Sequence, residues 1–565
     1  MSLGLTDRRG ECIFAACPHY RKCFIEKNVR AARKADVVIA NHALVMFQAS
    51  LEHSLGALTP DSGKSDEDSD ETTGPKRLVF DEGHHLFDAA DNAFSAHLTG
   101  METAELRRWL RGAENRRRRG RSLSDRIGEL LDDIPHGDAA LQQVLEGARA
   151  LPGPGWRARI EAGMAEGPAE EFLQLVRQQT LARAGPRGGM SIETDCRPLI
   201  DGLADAAGAL AAALGRLRRP MDELARMLVA QLDERADELD SATRARLDSL
   251  ARSIRRRSAL LIPSWKDMLR RLEGEGDASF VEWFSIDYQF GREFDYGQHS
   301  HWIDPTVPLA AAVLTPADGV VITSATLKDR PPQAPDDWEN AEMRTGVVHL
   351  PWPVRRIAHS SPFDYGANAR IIAVNDLGRE NMDHLAAAYR ELFLAAKGGA
   401  LGLFTAISRL RAVHQRLAAP LAAAGYGLFA QHVDPVDTGT LVDMFRSETN
   451  ACLLGTDAVR DGVDVPGKSL RLIVQDRVPW PQPSILERAR QQAFGRTAWQ
   501  DMIVRLRLRQ AFGRLIRRRQ DRGLFVMLDS RLASRFASAF PPDVKIERMG
   551  LADAVDAVGS FLHDT

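Results

Sequence analysis

The apolar positions fall into two rhythms. Near the N-terminus, Asp36-Val-Val-Ile-Ala40 and Arg77-Leu-Val-Phe80 are short apolar runs. They predict two buried strands, the second ending at Asp81. Strand character returns at Gly319-Val-Val-Ile-Thr323 and then alternates with helix. Strands are expected over 369–374 and 400–404, each followed by a helix, over 379–397 and 407–424. Further strands are expected over 451–455, 471–474 and 524–528. Such alternation implies α/β architecture with a parallel sheet covered by helices. In between, residues 96–290 carry apolar side chains at helical spacing, most clearly over 199–260, and predict a mostly helical insertion. Residues 60–76 are acidic, lack large apolar side chains and predict a solvated loop.

A chain of 565 residues that is 44% hydrophobic can bury several cores, and its length suggests roughly three or four domains. Its net charge of −3 gives no global attraction to polyanions, so any such site must be local. Only ten of its 74 basic residues are lysine, a bias that runs the whole length and reads as genome composition. No apolar run approaches the ~18 residues of a membrane span, and the first residues lack the apolar core of a signal peptide. Five cysteines are too few for a disulfide framework. A cytoplasmic chain without membrane contact is expected.

Four short segments carry candidate chemistry. Asp81-Glu82-Gly83-His84 puts two carboxylates and an imidazole at a strand end, where open α/β sheets bind ligands. One carboxylate suits the water shell of Mg²⁺ and the other an attacking water; a helix N-cap is the alternative. Thr323-Ser324-Ala325-Thr326 follows a strand, and its hydroxyls can bond backbone or a nearby carboxylate, or simply cap a helix. Gly462-Val463-Asp464-Val465-Pro466-Gly467 combines close backbone approach with an acceptor for a ribose or an arginine. Gln510, Arg514 and Arg517, at spacings of four and three, are expected on one helix face. Their guanidiniums suit a phosphate whose charge grows in a transition state, unless the segment is a basic surface helix. Cys12, Cys17 and Cys23 could hold zinc or an iron–sulfur cluster, or stay free thiols. The arginines 116–119, 121 and 255–257 could meet DNA phosphates, but without interleaved aromatics they read more simply as solvated helix faces.

In this order the segments resemble the nucleotide-handling set of superfamily 2 helicases of the XPD/DinG type. The resemblance covers nearly the whole chain. It implies a partial iron–sulfur domain over 1–35 and a first RecA-like motor domain over 36–95 and 291–345. It further implies a helical arch over 96–290 and a complete second motor domain over 346–565. It implies ATP, Mg²⁺ and a [4Fe–4S] cluster, of which Cys12, Cys17 and Cys23 would be three ligands and the fourth would lie upstream. It implies an ATP-dependent DNA helicase that moves 5′→3′ on single-stranded or forked DNA, as a monomer, in repair. Asp81, Glu82, His84, Gln510, Arg514 and Arg517 would be its catalytic residues, and Gly462, Asp464, Thr323, Ser324 and Thr326 would serve the nucleotide. Three departures stand out. Gly83 replaces the family's Ala, Arg460-Asp461-Gly462-Val463-Asp464 replaces Trp-Glu-Gly-Val-Asp, and Pro479-Trp480-Pro481 stands for Pro-Phe-Pro.

The phosphate-binding loop, Gly-x₄-Gly-Lys-Ser/Thr, has no counterpart upstream of Asp81. The only Gly-Lys-Ser upstream of Asp81 is Gly63-Lys64-Ser65, with Leu58 where the first glycine should stand. The loop is therefore expected before Met1, the first motor domain is expected to be loosely packed, and this chain alone is expected to show negligible ATP turnover. The alternative function is a non-hydrolysing DNA- or partner-binding module.

Overall fold

The computed structural model describes residues 19–32, 34–56, 76–114, 122–131, 134–183, 191–235, 238–289, 291–329, 337–378, 380–462, 465 and 467–563. In chain order the strands are β1 (Arg77–Phe80), β2 (Ala96–Thr99), β3 (Ser191–Asp195), β4 (Phe280–Gln289), β5 (Arg292–Trp302), β6 (Gly319–Ile322) and β7 (Ala369–Val374). They continue as β8 (Ala400–Leu403), β9 (Gly427–Ala430), β10 (Ala451–Gly455), β11 (Leu472–Gln475), β12 (Gly523–Met527) and β13 (Ile546–Met549). They form three sheets.

The C-terminal lobe is built on seven parallel strands in the order β13-β7-β12-β11-β8-β10-β9. Its central strands are apolar at nearly every position, Arg370 of β7 and Gln475 at the end of β11 apart, because both faces are covered. Ile371, Leu401, Ile473 and Phe525 pack on one side, and Ile372, Val474, Leu454 and Leu524 on the other. The expected helices appear at Met382–Ala395 and Ile407–Ala423. The first starts where Asn381 accepts the backbone N–H of Asp383 and His384. The strands β9 and β13 add to those expected.

The insertion differs from a purely helical one. Its core is the 32-residue helix Leu203–Glu234 with its neighbours. These helices cover an antiparallel sheet, β2-β5-β4-β3, which the helical expectation for 96–290 missed. The β4–β5 ribbon is long and rich in aromatic and β-branched residues, and it is held by cross-strand pairs. One face, with Leu98, Phe284, Ile286 and Tyr296, joins the helical core. The other, with Val281 and Trp283, packs on Ile485 of the C-terminal lobe.

The first sheet has two parallel strands, β1 and β6. Leu78, Phe80, Val320 and Ile322 face a helical layer. On the other side Val79 is 72% and Val321 57% exposed. The strand expected over 36–40 does not form, because no strand lies alongside to hold it. Val37, Val38 and Ile39 stay solvent-exposed, and the chain turns at Asn41 into the helix His42–Gly56. Among the described residues no helix is long and apolar enough to cross a membrane.

Candidate active site

Two strand ends are tied together. The Thr323 N–H donates to the Phe80 carbonyl at 2.9 Å, and the Gly83 N–H donates to the Thr323 carbonyl at 2.9 Å. The chain leaves β1 through Glu82, whose backbone is left-handed at φ 50° and ψ 48°. That conformation costs a non-glycine residue on the order of 1 kcal/mol. It turns the carboxylates of Asp81 and Glu82 outward at the C-terminal end of the strand, where both are exposed. The Glu82 N–H donates to Asp81 Oδ1 at 3.0 Å. Gly83 is confined, because a Cβ there would sit 2.2 Å from Ile322 Cγ2.

The side chains of the two segments meet. Ser324 Oγ donates to Glu82 Oε2 at 3.1 Å and lies 2.7 Å from His84 Nδ1. With its one proton directed to Glu82, Ser324 accepts from a protonated Nδ1. Thr326 reinforces the same hydroxyl, its N–H at 3.1 Å and its Oγ1 at 3.2 Å. His84 Nδ1 is also 3.2 Å from Glu82 Oε2. Glu82, His84, Ser324 and Thr326 thus form one network, while Thr323 is exposed beside it. Both Glu82 contacts use Oε2, so Oε1 keeps its lone pairs for water.

The facing wall comes from the helix Arg496–Phe512 of the C-terminal lobe. Gln510 is buried in it. The expected continuous helix face through Arg514 and Arg517 is corrected, since the helix ends at Phe512. Gly513 follows, tight turns are made by the N–H groups of Arg514 and Leu515, and Asp521 Oδ2 accepts the N–H groups of Arg517 and Arg518 at 2.8 and 2.7 Å. These bonds compete with further helical ones. Arg514 and Arg517 are therefore half-buried side chains on a turn. Gly462 ends the short helix Asp457–Gly462 that follows β10, and Asp464 lies outside the described residues.

Of the three cysteines, Cys12 and Cys17 also lie outside the described residues. Cys23 is a half-buried free thiol just before the helix Phe24–Ala32. No group of three metal-ligating side chains occurs among the described residues. Cys196 and Cys452 are buried in other cores, and burial pushes both thiols up, that of Cys452 to about 12. Neither suits a thiolate ligand.

The sequence did not disclose the contacts between the lobes. Asp329, two residues past Leu327, receives Arg505 and Arg509 from the helix Arg496–Phe512. Asp91 accepts Arg490 Nη2 at 2.6 Å and pairs with His301 at 2.9 Å. Phe87 packs on Trp499 and Met502. Each partner lies more than a hundred residues away along the chain, so spacing carried no signal.

Residues 389–545 match the helicase C-terminal domain family. ATP-dependent DNA helicase YoaA of Escherichia coli is 24% identical over 563 residues, covering 95% of this chain and 72% of that protein. ATP-dependent helicase DinG of Mycobacterium tuberculosis is 33% identical over 204 residues, covering 33% of this chain and only 29% of that protein. The solved structure of Saccharomyces cerevisiae Dbp5 bound to RNA and ADP BeF3 aligns with 46% of this chain and 59% of its own, at 12% identity and a TM-score of 0.29.

Proposed function

We propose that the chain is a helicase of the DinG/XPD-like group of superfamily 2 that couples ATP hydrolysis to 5′→3′ movement on single-stranded DNA, in DNA repair. The observation that carries this reading is the network of Glu82, Ser324, His84 and Thr326 at the joined ends of β1 and β6. It links the carboxylates suited to hydrolysis with a segment that can report on the nucleotide.

In this reading Asp81 holds the water shell of Mg²⁺, and the ion, when bound, offsets charge on the phosphates. Glu82 orients the attacking water through Oε1 while Oε2 stays engaged by Ser324 and His84. Thr323, Ser324 and Thr326 pass the state of that carboxylate to the cleft. Gly462 and Asp464 receive the nucleoside end. Arg514 and Arg517 approach the terminal phosphate on a short turn, which can move with the C-terminal lobe more freely than a helix face, and Gln510 anchors its start. Cys12, Cys17 and Cys23 supply at most three thiolates toward a cluster, and no step is assigned to one.

A second reading, a non-hydrolysing DNA- or partner-binding module, is favoured by one observation. One face of the β1–β6 sheet is uncovered at Val79 and Val321, and no Gly-x₄-Gly-Lys-Ser/Thr precedes Asp81, the one match in the sequence being Gly462-x₄-Gly467-Lys468-Ser469, which follows a short helix rather than a strand. The test is ATP turnover with single-stranded DNA, in the chain as it stands and with a phosphate-binding strand, loop and helix joined ahead of Met1. The helicase reading expects negligible turnover in the first, and DNA-stimulated turnover in the second that Glu82→Gln abolishes. DNA binding without turnover in both would establish the module instead.

A further inference from the structure

Between the lobes lies a small cleft whose polar lining is His84, Thr326, Asp329, Asn340, Arg344 and Arg509. Arg344, on the helix Glu339–Thr345, is 7% exposed. Its Nη2 donates to the His84 carbonyl at 3.1 Å. Asp88, on a side chain that is 68% exposed, stays 3.9 Å away. Arg344 Nε and Nη1 are buried and have no hydrogen-bond partner. A guanidinium remains protonated even where burial lowers its pKa, as it does here. Such a group carries a cost until its donors are met.

No residue lining the cleft meets them. The one buried carboxylate, Asp329, already accepts Arg505 Nε and Nη2, Arg509 Nη2 and Asn340 Nδ2. Two arginines thus occupy the one buried acid, and Arg344 is left with its Nε and Nη1 donors open. A planar guanidinium with Nε and Nη1 open presents a fork of two N–H groups, the geometry that suits an oxyanion.

We propose that this cleft is a binding site for a tetrahedral oxyanion of the phosphate class, held by the Nε and Nη1 fork of Arg344 with Arg509 beside it. His84 and Thr326 of the proposed nucleotide network line one wall of the cleft, whereas Asp81 and Glu82 do not, so the site adjoins that network, and the Arg344 fork does not depend on the proposed reaction. Occupancy would restrain His84 through its carbonyl and Asp329 through Arg509. A bound anion would thereby tighten the contact between the lobes.

The test uses the whole chain and inorganic phosphate. Phosphate at on the order of 10 mM is expected to raise the unfolding temperature above that in sodium chloride of equal ionic strength, and to saturate. Sulfate, of the same shape, should do the same. Arg344→Met should lose the increment and Asp81→Asn should keep it. An increment unchanged in Arg344→Met, or one matched by chloride, would overturn the site and leave ordered water as the partner of Arg344. A single-stranded oligonucleotide tests the other source of phosphate oxygens, and an Arg344-dependent increment with it alone would assign the site to DNA instead. If Arg344→Met does not fold, hydrogen exchange of the unmodified chain decides. Phosphate should slow exchange in Glu339–Thr345 and around Arg509 more than at the arginines 517–519, and no such protection would reject the proposal.

Discussion

Asp329 grips Arg505 with both carboxylate oxygens, Nε at 2.8 and 3.1 Å and Nη2 at 2.5 Å. Arg505 is 3% exposed, and Arg509 adds a contact at 3.3 Å. Burial alone would raise the carboxyl pKa, but the hydrogen bonds and charge of Arg505, with Arg509 behind, hold it below its usual range. The pair joins the segment after β6 to the helix Arg496–Phe512 and so fastens one lobe to the other. Asp329→Ala strands the buried Arg505 guanidinium and is expected to cost about 3–5 kcal/mol at neutral pH. Because the folded pKa is depressed, the stabilisation is present above the unfolded carboxyl value and lost as pH falls through the folded one. Urea unfolding of the variant and the parent measures this. Coincident transitions at neutral pH would mean that the clamp contributes nothing.

Gly83 is confined at the end of β1, and Ile322 gives the reason. With a Cβ only 2.2 Å from Ile322 Cγ2, Gly83→Ala must push the strand ends apart and strain the bond from the Gly83 N–H to Thr323. The expected loss is about 1–3 kcal/mol. Ile322→Ala removes the obstructing methyl, so Gly83→Ala should cost much less in that background. A double-mutant cycle with no coupling would show that the close approach is relieved elsewhere.

Most of the C-terminal lobe was legible, because its strands are apolar on both faces and its helices have a clear period. The two active-site segments were legible as well, since each sits directly after a strand. Three features were not. The β4–β5 ribbon lies where helical periodicity dominates the flanks. The run Val37-Val-Ile39 has strand composition, but a strand needs a neighbour and composition does not supply one. The end of the helix at Phe512 depends on Asp521, whose carboxylate captures N–H groups that spacing alone would assign to the helix. Arg344, Asp329 and Arg505 looked like ordinary charges in polar stretches, and only the closed cleft gives them their meaning.

The buried histidines predict an acid response. His299 stacks on Trp283 at 5.2 Å, and its Nε2 lies 2.7 Å from Ser285 Oγ. Burial, with His97 and His301 beside it, lowers its pKa to about 3, and burial and His301 lower that of His97 to about 4. In the unfolded chain both titrate near 6.5. Below that value the unfolded state binds more protons, so stability falls with pH. His299→Gln should therefore lessen the loss of stability between pH 6.5 and about 5, by on the order of 1 kcal/mol per pH unit. Asp295, whose carboxyl burial raises to about 6, acts in the opposite sense, but it is common to both proteins and cancels in the comparison. Equal pH slopes in urea unfolding would refute the assignment.

The cysteines predict a metal content. A four-iron cluster takes four protein thiolates, whereas Cys12, Cys17 and Cys23 are three, and Cys196 and Cys452 are buried thiols in other cores. Anaerobically purified chain should carry iron and sulfide well below one cluster per molecule. Cys23 should react readily with a thiol reagent, and Cys196 and Cys452 only after unfolding. A full complement of iron and sulfide would reveal a fourth ligand among these residues.

Ser324 is the hydroxyl on which the proposed coupling turns, because it touches Glu82, His84 and Thr326 together. Ser324→Ala removes all three contacts, yet His84 Nδ1 keeps Glu82 Oε2 at 3.2 Å. The stability cost should stay near 1 kcal/mol. The functional consequence should be uneven. In the chain supplied with a phosphate-binding loop, the Glu82 carboxylate survives in Ser324→Ala, so ATP turnover should persist while strand separation drops sharply. Glu82→Gln should instead lower both together, by about 10²–10⁴-fold, since the group that orients the water is gone. Parallel measurement of turnover and unwinding separates the two. If Ser324→Ala lowers both in proportion, Ser324 serves the chemistry of hydrolysis and the linking role assigned to it is wrong.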